Sequence, residues 1–190
     1  MVKQFSFQKL PLQGAFLIEP FFSSDVRGGL IKDYSLTNFS KNGINYELKE
    51  TFYTISKKGV IRAIHFQEVN QQPKLVRCIS GKIFDVIVDL RPKSPTFKKW
   101  FGTYLSGENM KELLIPAHFG HGYLVIEDSI VSYKCSVEFD SNHDSGIAFD
   151  DKDLAINWPF GDIGGKNNLI VSDKDRTLQS FKEYFKKGCL

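Results

Sequence analysis

The chain is short of several things, and each shortage narrows what it can be. It has only three cysteines in 190 residues, Cys78, Cys135 and Cys189. That odd number lacks the spacing of a disulfide framework and fits a reducing compartment. Cys78 and Cys135 lie within strand-like runs and read as small buried hydrophobes, while Cys189 sits at the frayed end of the chain. No apolar stretch approaches the roughly 20 residues of a membrane span. The opening MVKQFSFQKLPLQG has no apolar core of the signal-peptide kind. These absences lead us to expect a soluble cytoplasmic protein with no membrane partner. Net charge is only +3, and no basic run is interleaved with aromatics, so nucleic acid is not an expected partner. A G-x-S-x-G elbow is missing, and no cysteine has an activating histidine beside it in sequence. The Gly-rich GDIGGKNN (161–168) lacks the strand, helix and Lys-Ser/Thr pair of a phosphate loop and reads as a flexible connection.

What is present points to strands. Seventeen phenylalanines and an aromatic content of 14% favour a β-rich interior with large side chains. Residues 82–90, KIFDVIVDL, alternate cleanly. Phe84, Val86, Val88 and Leu90 share one face, and Ile83, Asp85, Ile87 and Asp89 share the other. Carboxylates at alternate strand positions usually face water, and that is the expectation for Asp85. VIRAIHF (60–66) and KLVRCI (74–79) are further strands, with SGK (80–82) as the turn into residues 82–90. YLVIE and SIVSYKCSVEF read as the two arms of another hairpin, and TNFSKNGIN as a loop. One helix is expected, over 173–187. There Leu178, Phe181, Tyr184 and Phe185 recur at helical spacing, and Ser172 or Asp173 can cap the start. About ten short strands and one terminal helix give a single all-β domain over 1–190, a sandwich or barrel.

Arg62, His65 and Lys74 fall near one another on neighbouring strands or strand ends. Parity complicates this, because in a regular strand Arg62 and His65 point to opposite faces, and only a bulge or strong twist brings them together. A metal site is disfavoured. Small barrels often bind metal through a His-x-His pair, and here the pair position reads HFQ (65–67), while His118 and His121 are three apart in a Gly-punctuated loop. What remains is acid–base chemistry without a cofactor. His65 suits a base near neutral pH, Lys74 can stabilise an oxyanion, and Tyr133 can act as an acid from an inner face. Composition and spacing alone also allow core or surface roles for all three.

The motifs VIRAIHFQ, PKLVRCISGKIFDVIVDLR, SPTFKKW, LSGEN, LIPAHFGHGYLV, YKC, INWP and SDKDR, in that order from about Asp25 to Arg176, resemble the dTDP-4-dehydrorhamnose 3,5-epimerase family. The resemblance implies a metal-free cupin jelly roll with a short C-terminal helix. It also implies a homodimer with exchanged N-terminal strands, no cofactor, and a nucleotide-diphosphate sugar as substrate. The family's base matches His65, its orienting aspartate Asp175, its lysine near the sugar ketone Lys74 and its proton-donating tyrosine Tyr133. The pyrophosphate-binding positions match Arg27, Arg62 and His121.

The chain departs from the family pattern where the base is held. RGGLIKD (27–33) places Leu30 and Lys32 where an aromatic and a glutamate are usual. ETFYT, beginning at Glu50, replaces the usual QDNxS, and PAHFGHG carries His118 in place of a glycine. Lys32 and Glu50 are accordingly expected to contact the nucleotide. Epimerisation at C3, C5 or both is the reading that the intact catalytic set supports. A GDP- or CDP-linked keto-sugar, a 3,4-ketoisomerase of the same fold and a non-catalytic sugar-nucleotide-binding cupin stand as alternatives.

Overall fold

A strand with two apolar faces belongs in the middle of layers, with hydrophobic partners on both sides. The computed structural model of the chain describes residues 1–186, so Cys189 lies outside the described residues. In chain order the strands are β1 (Val2–Lys3), β2 (Ser6–Lys9), β3 (Phe16–Glu19), β4 (Phe21–Asp25) and β5 (Gly28–Lys32), followed by helix α1 (Leu36–Lys41). Next come β6 (Glu50–Ser56), β7 (Ile61–Gln67), β8 (Lys74–Asp89), β9 (Trp100–Ser106), β10 (Glu112–Ile115), β11 (Phe119–Cys135) and β12 (Asp144–Gly146). Two 3₁₀ turns precede α2 (Asp173–Arg176) and α3 (Phe181–Lys186).

The long strands β8 and β11 form the spine. They pair antiparallel from Phe119 opposite Asp89 to Cys135 opposite Lys74, and the ladder shifts register between Val125 and Val131. Gly81 sits at this irregularity with φ +77°, and a Cβ there would lie 2.1 Å from the Asp128 carbonyl oxygen. Only glycine fits such a bend. One half of the ribbon joins β7, β12 and β9 in a first sheet. The other half joins β6, β10, β3 and β2 in a second.

Three apolar clusters follow. Ile83, Ile87, Tyr123 and Val125 from the first sheet meet Val76, Cys78, Val131 and Tyr133 from the second. Val86, Val88 and Leu124 turn outward, where Trp158, Phe181 and Tyr184 of the C-terminal region cover them. Leu75, Leu114 and Ile18 are covered by Phe39 of α1 with Ile44 and Tyr46. Full burial of each such side chain contributes about 1.5–3 kcal/mol. The result is a cupin-like β-sandwich.

Several local expectations change. SGK is a bend inside the continuous β8, not a hairpin turn, and the two arms expected around residue 128 are one strand, β11. The stretch expected as a loop holds α1, capped by Ser35, whose side chain accepts from the Asn38 amide. The helix expected over 173–187 is two short helices, because Thr177 closes α2. The 161–168 segment folds into the two 3₁₀ turns, Phe160–Ile163 and Lys166–Asn168. Asp85 does not face water: it is fully buried.

Candidate active site

The pocket is built around a bulge. Along the β7–β11 ladder His65 lies opposite His121, and Arg62 lies opposite Tyr123. Three steps on β7 therefore match two on β11, one residue is extra, and the parity conflict between Arg62 and His65 disappears. The bulge presses on Gly122, where a Cβ would come within 2.4 Å of the Ala63 Cβ and 2.7 Å of the Arg62 carbonyl oxygen. Arg62 and His65 consequently line one cavity of about 500 Å³, together with Lys74, His121, Tyr133 and Asp175.

Two histidine–aspartate pairs stand in it. The His65 Nε2 lies 3.1 Å from the Asp175 Oδ1, and the side chains are 23% and 6% exposed. Asp175 sits in the first turn of α2, where Ser172 caps its amide. Burial opposes the charge on Asp175. Hydrogen bonds from His65, Ser172 and the Ala63 amide outweigh that and hold its carboxyl below the usual range. Behind this pair the His121 Nε2 lies 3.0 Å from the Asp85 Oδ2. There burial prevails over the attraction of His121 and pushes the Asp85 carboxyl up.

Tyr133 enters from the second sheet. Its ring stacks on Phe52 at 4.7 Å and meets His121 edge-on at 5.8 Å. Burial, with Tyr123 and Asp85 adding to it, pushes the Tyr133 phenol well above the ordinary tyrosine range. The phenol is therefore protonated at neutral pH. Lys74 opens β8 at the cavity wall, and burial lowers its ammonium pKa against the pull of Cys135, Asp144 and Asp85. Arg62 donates from Nε to the Ser56 hydroxyl at 3.2 Å. Lys174 also lines the cavity, paired with Asp144. A cavity with Arg62, Lys74 and Lys174 on its walls suits an anionic ligand. A base held by a carboxylate and a protonated phenol in one cavity can move protons to and from carbon.

Not every expected residue is in this cavity. Arg27 is exposed in the β4–β5 turn, where Asp25 pairs with it at 2.6 Å, and Lys32 closes β5 over the Phe21 ring. Both stand on the small three-stranded sheet β1–β4–β5, apart from the cavity lining. Glu50 accepts from the Gln72 side chain and the Phe139 amide, both residues of the cavity wall. Among the described residues no three of histidine, cysteine, aspartate and glutamate converge as metal ligands would. Sequence reasoning missed Lys174, although it adjoins Asp175 in SDKDR. It also missed the role of Asp85, whose partner is 36 residues away.

Comparison with known proteins gives the family and the fold. The family model for dTDP-4-dehydrorhamnose 3,5-epimerase matches residues 9–183. The dTDP-4-dehydrorhamnose 3,5-epimerase of Methanothermobacter thermautotrophicus is 41% identical over 181 residues, covering 95% of this chain and 96% of that one. The dTDP-6-deoxy-D-glucose-3,5-epimerase of Legionella pneumophila, solved with dTDP-4-keto-L-rhamnose, superposes with a TM-score of 0.88 at 31% identity, covering 94% of each chain. A 4-keto-6-deoxy sugar epimerase from the novobiocin gene cluster of Streptomyces spheroides gives 0.91 at 31%, covering 99% of this chain and 93% of that one. By sequence over nearly its whole length and by fold, the chain belongs to the dTDP-4-dehydrorhamnose 3,5-epimerase family.

Proposed function

We propose that the protein inverts C3 and C5 of a dTDP-linked 4-keto-6-deoxy sugar through an enolate. The observation that carries this reading is the convergence of the His65–Asp175 pair, Lys74 and Tyr133 on one cavity. The C4 ketone acidifies the hydrogens on C3 and C5. His65 removes one, while Asp175 accepts a hydrogen bond from one ring nitrogen and leaves the lone pair on the other. Lys74 stabilises the oxyanion that develops at O4. Tyr133 returns a proton to the opposite face, and the centre inverts.

Arg62, His121 and Lys174 meet the diphosphate, and the half-exposed ring of Phe139 at the rim offers a face to the base. The working unit is a homodimer, in which the β4–β5 hairpin brings Arg27 and Lys32 to the partner subunit's cavity. Two features support this. Every residue of β5 is exposed, and Tyr53, Ile55, Ile79 and Ile130 form an uncovered apolar face on β6, β8 and β11. The protein acts in the cytoplasm, in keeping with the free thiols of Cys78 and Cys135. Among the described residues no helix is long and apolar enough to cross a membrane.

The test is incubation with dTDP-4-keto-6-deoxyglucose in heavy water, followed by proton NMR. Deuterium at C3 and C5 with inversion of both is expected. In His65→Ala both exchange and inversion fall by about 10²–10⁴-fold. Exchange with a GDP- or CDP-linked keto-sugar but not the dTDP sugar would overturn the nucleotide assignment.

A further inference from the structure

Two residues of the cavity wall are stacked face to face. Phe52 on β6 stands directly opposite Tyr133 on β11 in their antiparallel ladder. The rings lie nearly parallel, 4.7 Å apart with 10° between their planes. Along β6, Thr51, Tyr53 and Ile55 are exposed, while Phe52, Thr54 and Ser56 turn inward. Phe52 is only half-buried, and it lines the cavity that also holds Arg62, Lys74 and Lys174. An apolar ring left part-exposed among cations forfeits some of what full burial would give it. Its contact with Tyr133 supplies a reason for its place.

The proposed acid needs a fixed direction. A phenol oxygen is rigid with its ring, so whatever fixes the ring fixes where the proton is offered. Among the described residues two rings pack against Tyr133. One is His121, which meets it edge-on at 5.8 Å and is itself held by the Asp85 carboxylate at 3.0 Å. The other is Phe52, on the edge strand β6, which pairs only with β11. Aromatic pairs facing each other across two strands stabilise one another, and the stacked arrangement is among their preferred ones. Without that flat face, the Tyr133 ring has cavity space to swing into.

We infer that Phe52 is a positioning residue for inversion, whose ring holds the Tyr133 phenol aimed at the enolate carbon. This rests on the proposed role of Tyr133. Phe52 itself neither gives nor takes a proton, and its effect falls on one half of the reaction. Removal of the carbon-bound proton by His65 does not use Tyr133 and continues. Delivery from the far face needs the phenol within reach, and a displacement of about 1 Å can lower such a step about a hundredfold. An enolate that finds no proton there takes one back from His65 and recovers its starting configuration. The His65 side chain is 23% exposed, so its proton can exchange with heavy water in that interval. The mark of a lost stack is therefore deuterium without inversion.

The test is Phe52→Leu, which keeps an apolar side chain and removes the flat face. With dTDP-4-keto-6-deoxyglucose in heavy water, NMR counts inverted sugar against sugar that is deuterated with its configuration kept. We expect the ratio of inversion to exchange to fall by about tenfold or more, with total exchange within about twofold of wild type. The ratio is read from turnovers of folded enzyme alone, so a loss of folded material does not move it. Phe52→Ile, which suits an edge strand, should shift the ratio the same way. Phe52→Tyr, which restores a flat ring, should return it close to wild type. A wild-type ratio in both aliphatic variants would overturn the inference. So would an equal fall in exchange and inversion, which would mean that Phe52 only supports the cavity. A raised KM with the ratio unchanged would also overturn it, by placing Phe52 against the sugar instead. Tyr133→Phe tests the underlying reading separately, and it should keep solvent exchange while losing inversion. If it inverts normally, the acid assignment fails, whatever Phe52→Leu does. If it loses inversion while Phe52→Leu keeps it, only the stack loses its role.

Discussion

His65 and His121 face each other across the β7–β11 ladder, and each holds a buried aspartate of its own. The two pairs are tuned in opposite directions. Asp175 is held below the ordinary carboxylate range and Asp85 above it. An aspartate that keeps its charge suits a histidine that becomes a cation on taking up a proton, the role proposed for His65.

Asp175→Asn should therefore cost catalysis more than binding. The amide keeps the size of the side chain but not its charge, and it can hold the wrong tautomer of His65. The expected loss in kcat is about 10²–10⁴-fold, with KM changed little. Steady-state kinetics checks this. A raised KM with normal kcat would move Asp175 from the chemistry to ligand binding.

Gly122→Ala should damage the fold and the site together. Its Cβ has no room beside Ala63, so the bulge has to shift, at a cost of about 1–3 kcal/mol. A displacement of Arg62 or His65 by about 1 Å can lower activity about a hundredfold. Thermal denaturation and kcat/KM measured on one preparation provide the check. Wild-type activity in the variant would show that the bulge need not be this tight.

Asp89 gives a pH test of stability. It is fully buried, and burial alone would raise its pKa. Hydrogen bonds from Arg91, Ser94 and Thr96 prevail and hold it at about 2, against an ordinary value of 3.8. Because the folded value is the lower one, this contribution is complete above 3.8 and is lost as pH falls through about 2. It amounts to on the order of 2 kcal/mol. Asp89→Asn should lower stability at pH 6, and the gap to wild type should narrow as pH approaches 2. Urea midpoints across that range decide it, and a constant gap would contradict the assignment.

Glu112 should show the opposite slope. It is fully buried beside Arg77, and neither carboxyl oxygen has a hydrogen-bond partner among the described residues. Burial drives its pKa well above 4.5, against the pull of Lys134 and Arg77. With the folded value raised, stability is complete below about 4.5 and is lost as pH rises through the folded pKa. Glu112→Gln should match wild type near pH 4 and exceed it at pH 8 by about 1–3 kcal/mol. A variant less stable than wild type at pH 8 would mean that the ionised carboxylate has a partner worth keeping.

Chelation should leave the reaction untouched. The strand that would carry a His-x-His pair reads HFQ, and His121 is committed to Asp85. Activity after exhaustive dialysis against a strong chelator checks this. A loss that a divalent ion restores would assign a metal to the site.

The strands were legible because period two survives in short windows, as in residues 82–90. Their joins were not. Gly81 reads the same whether it closes a hairpin or lets one strand bend, and the difference lies in the Asp128 carbonyl packed against it. Asp85 looks like a solvent-facing residue until His121 is placed across the sheet. The helical period from Leu178 to Phe185 does not reveal that Thr177 closes α2 first. The cavity set was readable only through resemblance to a family. The residues come from β7, β8, β11 and α2, and no local pattern links His65 to an aspartate 110 positions later.

The continuity of β8 and β11 sets the width of the cavity. His65 and His121 belong to one wall, and Tyr133 and Lys74 to the other, yet β11 carries both His121 and Tyr133, and β8 carries both Asp85 and Lys74. The walls are therefore two ends of the same folded ribbon, creased at Gly81. Their separation is a fixed gauge, set when the chain folds and held by covalent bonds along both strands. His65 and Tyr133 therefore stand at a spacing that the folded ribbon itself sets.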